Sequence, residues 1–188
     1  MERGAISGGT GDVKRSVRVG ISACLLGEKV RYDGRDRRDP VIIKDMGCLV
    51  EWVPVCPEVG MGLPVPREAM ELAGDPGMPG LVEIRTGRDR TSQMLEWSER
   101  KVRELEGAGL CGFIFKSRSP SCGMNVEVHP AACLPSGIGR GLFAAIFMKH
   151  FPRLLVEEEG RLQNAEARER FLTRVFDFFR GSVRDCKP

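Results

Sequence analysis

Short apolar runs alternate with amphipathic stretches along most of this 188-residue chain. Runs of β-branched and aromatic residues predict strands at 17–22, 52–56, 81–86, 111–116 and 154–157. Apolar residues at helical spacing predict helices at about 41–50, 91–106, 142–150 and 163–180. Strands that alternate with helices indicate one α/β domain with a mainly parallel sheet flanked by helices. Ligands of such sheets bind beyond the carboxyl ends of the strands, so we expect the functional site at that edge.

Two segments show neither pattern. Residues 1–16 are polar and rich in glycine, and we expect a disordered leader there. Residues 60–80 contain many Gly and Pro, which predicts a long loop of the kind that is usually functional or mobile. We therefore expect the α/β domain to span residues 17–162. Residues 163–188 are expected to form an amphipathic helix and a tail packed on that domain.

Composition narrows the classes of function. The apolar fraction of 41% and the charged fraction of 29% are those of an ordinary globular protein. The net charge of +3 is weak and no basic helix is evident, so a nucleic acid partner is not expected. No run approaches the roughly 18–20 apolar residues of a membrane-spanning helix, and no signal peptide is visible. We expect a cytoplasmic protein without a membrane partner.

Three of the seven cysteines lie in short motifs that each follow a predicted strand. Cys24 lies in S-A-C-L-L-G, Cys56 in C-P-E and Cys122 in S-P-S-C-G. An odd number of cysteines without an export signal does not suit a disulfide framework, which favours metal binding or catalysis. Thiols at the ends of parallel strands can converge on one edge of a sheet. Three converging thiolates bind soft metals and leave a fourth position open for chemistry.

The spacing of these thiols separates two candidate metals. Structural zinc sites favour paired cysteines two to four residues apart, and the chain has no such pair. The two histidines, His129 and His150, are interpreted as structural, at a turn and at the end of a helix. Widely spaced thiolates without a nearby histidine favour a [4Fe-4S] cluster in which one iron has no cysteine ligand.

The other four cysteines receive different interpretations. Cys48, in a predicted helix, and Cys111, at the head of a predicted strand, are expected to fill the core. Cys133 stays open between a structural and a functional role. Cys186, in a charged tail, is interpreted as an incidental surface thiol.

Polar residues beside the motif cysteines are candidates for catalysis. Glu58 follows Cys56 by two residues, and it is either a solvated carboxylate or a general acid or base beside the metal. Ser117, Ser119 and Ser121 precede Cys122, and they are either ordinary turn residues or the source of a hydroxyl that holds the substrate or passes a proton. The residues alone leave both choices open.

Two further segments are weaker candidates. The glycines of residues 137–141 precede a predicted helix and either cradle an anion or form a flexible turn. Residues 29–39 mix both charges and include the single tyrosine, Tyr32. This segment is interpreted mainly as a solvated loop, with Tyr32, Asp33 or an arginine as possible pocket residues.

Four ordered motifs resemble the DUF523 family. They are V-G-I-S-A-C-L-L-G at 19–27, V-R-Y-D-G at 30–34, P-V-C-P-E-V at 54–59 and K-S-R-S-P-S-C-G at 116–123. The resemblance runs from about Val17 to Phe151. Characterised members are thiouracil desulfidases, so the resemblance implies an enzyme that removes sulfur from a thiolated pyrimidine.

The resemblance also implies roles for individual residues. Cys24, Cys56 and Cys122 would hold a [4Fe-4S] cluster with one iron not ligated by cysteine. Glu58 would act in catalysis together with Ser119, with Ser117 as the alternative serine. The expected mechanism is a non-redox hydrolysis in which the open iron binds the sulfur and hydrogen sulfide is released.

The expected partners are a small thiolated substrate and the iron–sulfur assembly machinery. Two other functions remain as alternatives. One is a non-catalytic iron–sulfur or thiol sensor, which would not need Glu58. The other is a sulfur carrier that acts on another thiolated nucleoside.

Overall fold

The structure, a computed structural model, describes residues 16–130 and 136–184. The predicted leader other than Ser16 lies outside the described residues, as do Cys133 and Cys186. No helix in the described ranges is long and apolar enough to cross a membrane.

A four-stranded parallel sheet forms the centre of the fold. Its strands lie in the order β2-β1-β5-β8. They are β1 (Arg18–Ser22), β2 (Glu51–Val55), β5 (Leu110–Phe115) and β8 (Leu155–Glu158). The longer helices are α1 (Pro40–Met46), α3 (Thr91–Glu106), α4 (Leu142–His150) and α5 (Ala165–Arg184). The predicted class, α/β with a mainly parallel sheet flanked by helices, is confirmed.

The pleat of β5 divides the core between the two faces of this sheet. Phe113 and Phe115 pack on one side against Phe143 and Phe147 of α4. Ile114 belongs to the core on the other side, which α1 and α5 cover. Successive side chains of a strand point to opposite faces, which explains the continuous apolar run. On β1, a Cβ at Gly20 would lie 2.2 Å from the Phe113 ring, so this position needs glycine.

A second sheet, in the order β4-β3-β6-β7, was not predicted. Its strands are β3 (Met70–Asp75), β4 (Met78–Glu83), β6 (Val126–His129) and β7 (Gly137–Gly139). The expected loop over 60–80 is therefore wrong from Met70 onward. β3 and β4 form an antiparallel hairpin in which Asp75 Oδ1 accepts the Gly77 N–H at 2.8 Å. This Asp-Pro-Gly turn and the pairing of β3 with β6 outweigh the weak strand propensity of the segment.

Helix α1 is shorter than the sequence predicts and changes the position of Cys48. The Asp39 carboxylate begins the helix by accepting the N–H groups of Val41 and Ile42 at 3.1 and 3.0 Å. The helix ends at Met46, so Cys48 lies in the following turn and is exposed. The expectation that Cys48 fills the core is therefore wrong.

The predicted C-terminal helix is α5, which packs on the central sheet. Phe171 and Val175 are buried against the sheet, on the face that also contains Cys111. The boundary between a domain ending at residue 162 and an added helix and tail stays a prediction.

Ser98 lies in the buried face of α3 without a hydrogen-bond partner among the described residues. A buried unpaired hydroxyl costs about 1–3 kcal/mol, so Ser98→Ala is expected to raise the free energy of unfolding by about 1 kcal/mol or more. Urea denaturation measures this change. Ser92→Ala, at an exposed position of the same helix, is the matched control and should gain only the helix-propensity difference of about 0.5 kcal/mol. A destabilised Ser98→Ala would contradict this prediction.

Candidate functional site

A cavity of about 590 Å³ opens at the carboxyl ends of β1, β2 and β5. Its wall carries the three motif cysteines and three of the candidate polar residues, namely Cys24, Cys56, Cys122, Glu58, Ser117 and Ser119. The carboxyl ends of neighbouring parallel strands meet at one edge, and here that edge gathers residues from three distant parts of the chain. The sheet edge predicted for the site thus borders a cavity in the structure.

Cys24 lies directly after β1, in a 3₁₀ helix of residues Ala23–Leu26. Gly27 ends this helix with a φ of 98°, a conformation that suits glycine. The Cys24 carbonyl accepts the Arg37 N–H at 2.9 Å, which ties the following loop back to the strand end. Burial is the main reason that the pKa of the Cys24 thiol rises to about 11.

Cys56 precedes a single helical turn, α2 (Pro57–Gly60). Pro57 suits the first position of a helix because its fixed φ is already helical. Burial raises the pKa of the Cys56 thiol, while the N–H groups of Glu58 and Val59 act in the opposite direction by bonding to the sulfur. The N-terminal backbone of α2 therefore offsets part of the effect of burial on this thiol.

Cys122 lies in a tight turn after β5, and the side chain of Ser119 holds the backbone of this turn. The Ser119 hydroxyl oxygen accepts the N–H groups of Ser121 at 3.3 Å and of Cys122 at 3.1 Å. The Gly123 N–H donates to the Ser119 carbonyl at 2.8 Å. These bonds fix the backbone on both sides of the thiol, which is 5% exposed.

The N-terminus of α4 holds this turn in place. The N–H groups of Leu142 and Phe143 donate to the carbonyls of Pro120 and Ser121 at 3.2 and 3.0 Å. A Cβ at Gly141 would lie 2.6 Å from the Ser121 carbonyl carbon, so only glycine permits this approach. The possible anion cradle at residues 137–141 is not observed. Residues 137–139 form β7, and the N–H groups that begin α4 bind protein carbonyls.

The three cavity thiols influence one another electrostatically. Burial raises the pKa of the Cys122 thiol well above its usual value, and the charges of Cys56 and Cys24 raise it further. A hydrogen bond from the Ser22 hydroxyl opposes this shift. Burial and the neighbouring thiols therefore both disfavour ionisation of Cys122. Within the described residues, no three His, Cys, Asp or Glu side chains are grouped closely enough to hold a single metal ion.

Glu58 lies on the cavity wall with both carboxylate oxygens bonded. The Arg67 Nε donates to Oε2 at 2.7 Å, and the Ser121 hydroxyl donates to Oε1 at 2.9 Å. The Arg67 side chain is only 5% exposed. The alternative of a solvated loop carboxylate therefore does not describe Glu58.

A second ion pair, Lys116–Glu159, borders the cavity. Glu159 Oε2 accepts the Ser117 N–H at 2.6 Å, and Oε1 accepts the Ser117 hydroxyl at 2.7 Å. Although burial opposes ionisation, the bonds from Lys116 and Ser117 hold the pKa of Glu159 below its usual value. The Lys116 charge also acts on Cys24, where it lowers the thiol pKa.

Arg67 and Glu159 were missed from the sequence. Glu159 directly follows β8 at the same sheet edge as the motif cysteines, so the rule that located those cysteines could have found it. Arg67 lies in the segment interpreted as a long loop, and no local pattern distinguishes it from the other arginines.

The loop over residues 29–39 contributes Val30, Arg31, Tyr32 and Arg37 to the cavity wall. The Arg31 guanidinium carbon lies 5.2 Å from the centre of the Tyr32 ring. Asp33 instead accepts bonds from Arg31 and Arg35 within the loop. The possibility that Tyr32 or an arginine of this loop lines a pocket therefore agrees with the structure, whereas Asp33 does not line the cavity.

The remaining described cysteines and both histidines lie away from the cavity. Cys111 is buried beneath α5, as predicted, and Cys48 is exposed. His129 lies 3.4 Å from a Glu71 carboxylate oxygen, and His150 lies 2.6 Å from one of Glu106.

Comparison with known proteins gives matches that cover about three quarters of the chain. A family described as 2-thiouracil desulfurase matches residues 19–159. The uncharacterized protein YbbK of Bacillus subtilis (strain 168) is 29% identical over 147 residues, which cover 74% of this chain and 95% of YbbK. The solved structure of the [4Fe-4S]-dependent thiouracil desulfidase TudS (DUF523Vcz) is 29% identical with a TM-score of 0.63, covering 78% of this chain and 93% of TudS. The family match includes the cavity residues and both ion pairs.

Proposed function

The chain belongs to the 2-thiouracil desulfurase family, and from this premise we propose that it is a desulfidase acting on a thiolated pyrimidine such as thiouracil. In the proposed reaction, water attacks the carbon that carries sulfur, the C–S bond breaks, and a pyrimidine carbonyl and hydrogen sulfide form. Atoms and electrons balance without an oxidant or a reductant. The observation that carries the proposal is the convergence of three thiols and a held carboxylate on one cavity.

The cavity thiols suit a [4Fe-4S] cluster held by Cys24, Cys56 and Cys122. All three donors are sulfur, the usual ligand of iron–sulfur clusters, and a cluster binds each thiolate through a different iron. This arrangement accords with thiols that line one cavity without being grouped around a single ion. The match to TudS, which is [4Fe-4S]-dependent, covers 78% of this chain. When bound, the cluster would supply one iron without a cysteine ligand as a Lewis acid for the thione sulfur.

Glu58 is the proposed general base. Its carboxylate faces the cavity, and its two bonded oxygens are held in a fixed orientation by Arg67 and Ser121. A carboxylate so placed can accept a proton from the attacking water and return it to the departing sulfur. The fixed orientation lowers the entropic cost of each transfer.

Ser119 is the proposed hydroxyl that holds the substrate. Ser117 donates its proton to Glu159, and Ser121 donates its proton to Glu58. Ser119 accepts two backbone N–H groups, and no described residue accepts its own proton. Of the three serines, Ser119 therefore has a donor left for the substrate at the cavity wall.

Replacement of the serines tests this assignment. Ser119→Ala is expected to lower kcat by about 10–100-fold because it removes the donor and loosens the turn before Cys122. The matched control is Ser117→Ala, at the same wall, which should change kcat by less than about threefold because Lys116 still pairs with Glu159. Steady-state kinetics with iron counting makes the comparison. A larger loss in Ser117→Ala would move the role to Ser117.

The experiment that tests the function measures both products. Protein reconstituted anaerobically is incubated with 2-thiouracil or 4-thiouracil without a reductant, and uracil and sulfide are quantified. We expect one uracil and one sulfide for each thiouracil consumed. A cluster that forms without any turnover would support the sensor alternative. Uracil formed while the sulfide stays bound to the protein and is freed only by acid would support the sulfur-carrier alternative.

A further inference from the structure

The side chain of Arg67 bonds to three acceptors, although Arg67 lies in an irregular segment between α2 and β3. Its Nε donates to Glu58 Oε2 at 2.7 Å, and its Nη2 lies 2.5 Å from the same oxygen. Nη2 also donates to the Val30 carbonyl at 2.8 Å, and Nη1 donates to the Pro64 carbonyl at 3.3 Å. In addition, the backbone N–H of Arg67 donates to the Tyr32 carbonyl at 2.8 Å.

These bonds join two separate parts of the cavity wall. One is the carboxylate of Glu58, at the start of α2. The other is the loop of residues 28–36, which carries Arg31 and Tyr32 to the cavity. Because a guanidinium is planar and rigid, one arginine fixes the direction of both partners at once. A lysine has one point charge on a flexible chain and cannot do the same.

The Val30 carbonyl adds a link to the thiols. It accepts the Cys56 thiol at 3.8 Å as well as the Arg67 Nη2. The 28–36 loop therefore meets the beginning of α2 through Val30 and meets Arg67 through Val30 and Tyr32. In the described residues, no other side chain bonds to both Glu58 and this loop.

We infer that Arg67 is a positioning residue that orients Glu58 for proton transfer and latches the 28–36 loop as one wall of the substrate cavity. The role of Glu58 in this inference rests on the proposed function. The latching of the loop rests on the contacts alone. Arg67 itself transfers no proton, and its guanidinium is taken up by three protein acceptors.

The test compares Arg67→Gln and Arg67→Lys with a matched control, Arg90→Gln. Arg90 donates to Glu83 Oε1 at 2.7 Å in a similarly buried pair that does not line the cavity. Both glutamine variants leave a buried carboxylate without its partner, so a general loss of stability affects both. Hydrogen exchange of peptides covering residues 28–36 reports on the latch and requires no turnover.

We expect faster exchange over residues 28–36 in Arg67→Gln and no change there in Arg90→Gln. We expect kcat to fall by about 10–100-fold in Arg67→Gln with KM changed less than threefold, and Arg67→Lys to recover only part of this loss. In a Glu58→Gln background, Arg67→Gln should cause little further loss because both changes remove the same function.

Unchanged exchange over residues 28–36 in Arg67→Gln would overturn the latch, whether or not the protein releases sulfide. If the kcat losses of the two single variants multiply in the double variant, the inference that Arg67 acts through Glu58 is overturned. Wild-type protein that releases no sulfide from thiouracils would instead refute the proposed function and leave the exchange result to decide on the latch. If Arg67→Gln fails to fold, Arg67→Lys serves in both comparisons, and wild-type exchange with wild-type kcat in that variant overturns the inference.

Discussion

Single replacements of Cys24, Cys56 or Cys122 by alanine are expected to abolish the iron–sulfur cluster. Anaerobic reconstitution of the wild-type protein with iron and sulfide should give a broad visible absorption band and about four irons per chain. Each variant removes one of the three thiols that the described residues contribute to the cavity wall, and a neighbouring carboxylate is a poor substitute for sulfur as an iron ligand. Iron counting and visible spectroscopy are the measurements.

Two cysteines outside the cavity provide controls for this series. Cys111→Ala removes a buried thiol, and Cys48→Ala removes an exposed one. Both variants should keep the wild-type iron content, although Cys111→Ala loses some packing against α5. A cluster that survives in the Cys24, Cys56 and Cys122 variants would contradict the ligand assignment. A wild-type protein that forms no stable cluster would instead favour zinc or thiol chemistry.

The central sheet and the edge that carries the cavity could be predicted because local patterns determine them. The run from Leu110 to Phe115 is continuously apolar, as both faces of β5 are covered. Cys24 and Cys122 follow buried strands. Ligands of parallel sheets bind beyond the carboxyl ends of the strands, and this rule can be applied once the order of strands and helices is known. The resemblance to a known family added roles for these residues that their spacing does not supply.

The second sheet could not be predicted because long-range pairing stabilises it. The segment of β3 and β4 contains Gly74, Pro79 and Gly80, which have weak strand propensity. Its strands form through the hairpin and through pairing of Leu72 with Val128, 56 positions later in the chain. Arg67, just before β3, could not be assigned to the cavity without knowing that this sheet exists.

The sequence could not distinguish the three serines that precede Cys122, and the reason differs from that for the second sheet. Ser117, Ser119 and Ser121 alternate around Pro120, and their residue types are identical. Only the acceptors, Glu159 for Ser117 and Glu58 for Ser121, distinguish them. Both acceptors come from elements distant in sequence, so no local pattern could have separated the three hydroxyls.

A sensor would have no need for the carboxylate that Arg67 and Ser121 hold at the cavity wall. Glu58→Gln is therefore the replacement that separates catalysis from cofactor binding. Glutamine has the same shape and can still accept the bond from Ser121, but it cannot accept a proton. We expect unchanged iron content and visible absorption, with kcat lower by about 10²–10⁴-fold, the usual contribution of a general base.

The matched control for this prediction is Glu83→Gln, which neutralises a buried carboxylate paired with Arg90 outside the cavity. It should lower stability and leave kcat of the folded protein within about threefold, since neither Glu83 nor Arg90 is among the residues that line the cavity. Sulfide release under single-turnover and steady-state conditions is compared for both variants, with iron counted in each. Wild-type turnover in Glu58→Gln would refute the base assignment. Iron loss in Glu58→Gln would instead indicate that Glu58 helps to hold the cluster, because it lies two residues after Cys56 and is bonded to Arg67.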